Sequence, residues 1–165
     1  MVTRNALQVP LQGKTLQATG DVLLRAELLA FIIDPDQAWH PVPFRVDSAA
    51  EVTTMPAVLA KRLHLPLTQD PVPGLLVTTS TGTVAGQVRS GVIKIRLFGL
   101  EEFEFWFPCF FLGDPDAAPA TGEPAFPRTL LGLTGVVDKV RVTLDGSAAE
   151  DAPYGHVIVE RLAGA

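Results

Sequence analysis

Residues 41–56 read PVPFRVDSAAEVTTMP, and the reading of the whole chain turns on Asp47 within them. Phe44 and Val46 alternate with exposed-type positions as in a strand, whereas Ser48, Ala49 and Ala50 are too small to shield a carboxylate. An unpaired buried carboxylate is costly, so an acid at a strand end is paired, solvated or put to use. The plain alternative is a turn or cap residue, because Asp and Ser favour such places whatever the function.

The 165 residues are 47% apolar and 19% charged, enough for one domain with a real core. A net charge of −5 with scattered Lys and Arg leaves no basic footprint for nucleic acid, and it does not favour acidic substrates. The single cysteine, Cys109, lies in the apolar run FWFPCFFL, which excludes a disulfide framework or cysteine metal cluster within one chain. The opening MVTRNALQVPLQGKT lacks the apolar run and cleavage site of a signal peptide. VLLRAELLAFII (22–33) is too short for a membrane span and is interrupted by Arg25 and Glu27. The expectation is a soluble, cytoplasmic protein in a reducing compartment.

Fourteen prolines and fourteen glycines cut the chain into short segments, as a β-rich domain requires. Strands are expected at 21–33, 42–47, 75–80, 84–97 with a bend near Gly91, 102–112, 139–145 and, as a possible last one, 156–161. In EEFEFWFPCFFL, Phe103, Phe105 and Phe107 alternate with Glu102, Glu104 and Trp106. One helix is expected in TTMPAVLAKRLHL, capped by Thr53 or Thr54, with Pro56 near its first turn and Pro66 ending it. Residues 1–20 read as an extension or first strand and 113–127 as a loop insertion. After a main domain over 21–146, residues 147–165 read as an appendage.

Rival sites are weak. His40, His64 and His156 share no ligand pattern, and Asp34/Asp36 and Asp114/Asp116 flank prolines as turn residues do. Ser48 and Ser80 lack the glycine-flanked elbow of a serine hydrolase, and no phosphate-binding glycine loop is present. Trp39 and Trp106 read as packing residues, with Trp106 a possible pocket wall.

Three segments, VDSAAEVTTMP (46–56), TTSTGTVAGQVRSGVIKIRL (78–97) and RTLLGLTGVVDKVRVTL (128–144), together and in this order resemble the retropepsin-like aspartic proteases over about residues 20–145. The resemblance implies an all-β chain: a closed β-barrel of the acid-protease kind with one short helix and half an active site per chain. Asp47 then matches the catalytic aspartate, and Ser48 the hydroxyl residue that bonds across the two active-site loops. Ala49 and Ala50 complete the loop. Thr81, Gly82 and Gly86 lie where a flap would be, and Leu130, Leu131 and Gly132 match the apolar-apolar-Gly element that packs under the catalytic loop.

Such chemistry needs two carboxylates about one water, and one chain offers only one. The resemblance therefore implies a homodimer that cleaves a peptide or protein substrate with two Asp47 residues, without metal or organic cofactor and without nucleic-acid or membrane partners. Two positions depart from the family pattern. Ala49 replaces the usual glycine, harmless at a backbone conformation easy for L-residues but straining at positive φ or in contact with the substrate; a slow or narrowly selective enzyme and a gain in cleavage from Ala49→Gly are expected. Leu133 replaces an arginine that pairs with an acid near the Glu51 position, which leaves Glu51 another partner or water. The alternatives are a protease-like dimerisation or peptide-binding domain with little or no catalysis, and a plain β-barrel interaction module.

Overall fold

The computed structural model describes residues 5–79, 82–85, 87–117 and 129–164. In chain order these form β1 (Ala6–Pro10), β2 (Gln12–Thr15), β3 (Val22–Arg25), β4 (Glu27–Ile33), β5 (Trp39–Val46), β6 (Thr53–Pro56), α1 (Ala57–Arg62), β7 (Leu76–Thr79), β8 (Gly82–Ala85), β9 (Val88–Leu97), β10 (Leu100–Leu112), β11 (Leu130–Leu131), β12 (Val140–Asp145) and β13 (His156–Arg161). Six of these strands close a barrel in the order β10-β6-β11-β5-β4-β9. The protein is thus all-β with one short helix, as the sequence led us to expect.

Alternation builds the barrel. Leu28, Ala30 and Ile32 of β4, Val42 and Phe44 of β5, and Phe103, Phe105, Phe107, Cys109 and Phe111 of β10 all point inward. Phe103 stacks on Phe105 with centroids 5.0 Å apart, and Phe105 meets Phe107 at 5.7 Å. Burial pushes the Cys109 thiol well above its ordinary range, so it is an inert core group rather than a nucleophile.

Outside the barrel, β1, β13 and β12 make an antiparallel sheet with β13 in the centre. Val157 and Val159 of β13 and Val140 of β12 are buried with the barrel side chains in one core. The segment 147–165, read from the sequence as an appendage, thus carries the middle strand of this sheet. Two hairpins, β2–β3 and β7–β8, form separate two-stranded sheets.

The helix and its flanks differ from the expectation. Thr53 and Thr54 do not cap it but lie in β6, paired in parallel with Cys109 and Phe110 of β10. The helix spans only Ala57–Arg62, with Pro56 at its N-cap and no side-chain cap bond. It stops before Pro66: Leu65 N–H donates to Ala60 O and His64 N–H to Lys61 O, with His64 at φ 54, which is a Schellman ending. The strand expected over 21–33 breaks at Ala26 into β3 and β4, and the one over 84–97 divides into β8 and β9.

Neither tryptophan is a core residue. Trp106 is exposed, and Trp39 lies on the outer face of the barrel with the Arg96 guanidinium 4.0 Å above its ring. Arg96 and Lys94 both pair with Glu104 across β9 and β10. Hydrogen bonds from Lys94 and then Arg96 hold the Glu104 carboxyl below its ordinary pKa. A depressed folded-state pKa stabilises the fold above the unfolded value and ceases to do so as pH falls through the folded one. Glu104→Gln should therefore lower Tm at neutral pH, and the two melting curves should converge below about pH 4; a constant gap across a pH series would show that the ion pairs contribute nothing.

Among the described residues no helix is long and apolar enough to cross a membrane, and no group of three His, Cys, Asp or Glu is placed to hold a metal ion.

Candidate active site

Asp47 follows directly on β5, and the loop it opens crosses over a strand before the chain re-enters the barrel at β6. That strand is β11, which runs parallel to β5 and antiparallel to β6 and so separates them. Leu131 O accepts the Asp47 N–H at 3.1 Å, and Val46 N–H donates to Ala26 O at 2.8 Å. The backbone at the acid is thereby held from both sides.

The loop itself is a tight turn. Ala50 N–H donates to Asp47 O at 3.1 Å, and Ala49 N–H donates to Asp47 Oδ1 at 3.0 Å. Oδ2 has no hydrogen-bond partner among the described residues. Asp47 and Ala50 are half-buried, whereas Ser48 and Ala49 are exposed. Beyond the turn, Leu133 N–H donates to Ala50 O at 3.0 Å and Thr134 N–H to Glu51 O at 2.8 Å. The Glu51 side chain is exposed, and so is Leu133.

Gly132 explains why glycine closes the Leu130-Leu131-Gly132 element. A Cβ there would lie 2.4 Å from Val52 C and 2.7 Å from Thr53 N, so the backbones touch where a side chain would sit. Its N–H donates to the buried Thr53 Oγ1 at 3.1 Å. Leu131 is buried and Leu130 half-buried. Thr53 is the residue that sequence reasoning missed: a Thr-Thr pair ahead of a helix resembles a cap, and its second value as a β-branched pair in a strand was available but ambiguous.

Two arginines adjoin the residues whose backbone bond lies just before the acid. Arg45 is two residues before Asp47, and Arg25 immediately precedes Ala26. Burial first, then the charge of Arg45, pulls the Arg25 pKa down, and Glu27 opposes the shift.

Ala49 carries no positive φ; among the described residues outside glycine, only Gln37 and His64 do. The expected backbone strain at this position is absent, because the turn uses the Asp47 side chain rather than a left-handed residue to reverse the chain. Ala49→Gly should thus bring no gain from relieved strain and should lower stability by about 0.5 kcal/mol through the freer unfolded chain. Denaturant melts of the two proteins measure this, and a more stable glycine variant would restore the strain account.

Of the flap positions, Gly82 begins β8 and pairs with Thr79 across the hairpin. Thr81 and Gly86 lie outside the described residues, as do Ser80 and most of the loop at 113–127.

No family model and no curated protein matches the chain. Among solved structures, it is similar to a retropepsin-like aspartic protease from Rickettsia conorii, with 14% identity, a TM-score of 0.48, and coverage of 93% of this chain and 97% of that one.

Proposed function

We propose that this chain is one half of an aspartic endopeptidase and acts as a homodimer with an Asp47 from each subunit at the two-fold axis. The observation that carries this reading is the position of Asp47: it opens a turn of small residues, braced from beneath by Leu131 and Gly132, with one carboxylate oxygen engaged by the turn and the other without a hydrogen-bond partner among the described residues. Small exposed side chains at 48 and 49 let two such loops approach each other.

Two carboxylates that close cannot both ionise easily, so the pair shares one proton. The ionised member takes a proton from the water between them as the water oxygen attacks the scissile carbonyl carbon. The protonated member donates to the carbonyl oxygen. When the tetrahedral intermediate collapses, the C–N bond breaks, the proton taken from water goes to the leaving amine, and one hydroxyl of the intermediate returns its proton to the carboxylate that donated it, which restores the shared-proton pair. Neither metal nor organic cofactor takes part. The β7–β8 hairpin, with Gly82 in β8 and with Thr81 and Gly86 assigned to the flap from the sequence alone, is the candidate flap over a bound peptide, and Ser48 the hydroxyl that bonds between the two loops.

One observation favours a second reading, a peptide-binding or self-association barrel without catalysis: the Asp47 side chain already serves its own turn through the Ala49 N–H. Cleavage of a mixed peptide library by the wild type, with Asp47→Asn as the blank, separates the two readings. Cleavage that vanishes in the blank supports the peptidase, and its absence from both proteins supports the binding domain.

A further inference from the structure

The β2–β3 hairpin is built as if something were missing beside it. Val22, Leu23 and Leu24 are consecutive and are 41%, 45% and 55% exposed, so apolar side chains emerge from both faces of the ribbon. Every residue of β2 is exposed as well. The Tyr154 ring lies against Gly13 on one face. A two-stranded ribbon with this little cover is marginal in water, and its edges invite pairing.

The hairpin also stands at the candidate site. Its last residue, Arg25, precedes Ala26, whose carbonyl receives the Val46 N–H one residue before Asp47. Beyond the loop, Leu133 and Val137 are 40% and 56% exposed and one turn apart, with Val137 N–H donating to Leu133 O. A stable dimer needs about 800 Å² per partner. A turn of Asp, Ser and two Ala supplies only a small part of that, so any two-fold contact through Asp47 must recruit the apolar residues next to it.

We propose that the β2–β3 hairpin is a self-association arm, whose Val22–Leu24 ribbon packs against a second copy of this chain beside the paired Asp47 loops. The proposal rests on the reading of Asp47 as half of a two-fold site. It adds that the dimer is held by the hairpin rather than by the loops alone.

Sedimentation of the full chain tests it with three proteins: wild type, Leu23→Ser/Leu24→Ser, and Val92→Ser, which alters an exposed apolar residue on the outer face of β9. The expected result is a wild-type dimer, a dimer Kd raised about 100-fold in the double variant, and no change in Val92→Ser. A wild-type dimer with unchanged Kd in the double variant overturns the arm and leaves the two-fold site standing. A wild type that stays monomeric at high micromolar concentration overturns both. Should the double variant misfold, amide exchange of the wild type decides: residues 12–25 should gain protection when concentration rises through the dimer Kd, and exchange there that ignores concentration sinks the proposal.

Discussion

Gly132→Ala is expected to cost about 3 kcal/mol or more, at the upper end of what overpacking does, and to lower Tm by about 10 °C. The added methyl has nowhere to go. Its nearest neighbours, Val52 C and Thr53 N, are backbone atoms of the chain entering β6, and no rotamer change can clear them. Relief requires β6 to move off β11, which breaks the Gly132 N–H to Thr53 Oγ1 bond and loosens the bonds from Leu133 and Thr134 to the loop. Stability and loop geometry should therefore fail together. Gly146→Ala is the matched control, since a Cβ there meets nothing within 4 Å. Thermal melts of the two variants that fell together, or a Gly132→Ala melt at the wild-type temperature, would contradict the packing described.

Asp47→Asn is expected to reduce peptide cleavage by about 10³-fold or more, to the level of buffer, while fold and association survive. Asn keeps an oxygen at Oδ1, so the Ala49 N–H retains its acceptor and the turn its shape. What Asn removes is ionisation, and with it, in the proposed dimer, the repulsion between two carboxylates. The variant dimer should accordingly be at least as tight as the wild type near neutral pH. Asp47→Ala deletes the acceptor too, and should cost about 1 kcal/mol of stability in addition. If Asn and Ala variants both cleave as the wild type does, the activity belongs elsewhere and Asp47 is a turn residue.

The barrel was legible where one face of a strand is buried, because burial writes itself as alternation. Phe103, Phe105 and Phe107 mark β10, and Phe44 with Val46 mark the strand that ends just before Asp47. Thr53 and Thr54 were not legible as a strand, since β6 is defined by its parallel pairing with β10, and local signals before a helix resemble a cap. The same holds for the helix end: His64 in the left-handed region stops the helix through backbone bonds, and Pro66 drew attention from it. Apart from the Val46 bond to Ala26, the bonds that hold the loop at Asp47 run between residues 47–53 and 131–134, far apart in the sequence and brought together by the insertion of β11. The order of the motifs hinted at this neighbourhood, but the Gly132 contact with Val52 is a property of the fold.

The central place of β13 fixes when the protein can finish folding. β1 forms near the start of the chain, yet its partner is the strand at 156–161, and β12 waits for that same strand. On a ribosome, β1 precedes the barrel strands and remains unpaired until residues 156–161 have been made. Val157 and Val159 follow the other described core residues in sequence. Long-range pairing of this kind is slow, and the exposed strand is vulnerable meanwhile. The sheet therefore works as a late seal: a nascent chain stalled before residue 156 holds the barrel strands and Asp47 but lacks the strand that joins β1 to β12.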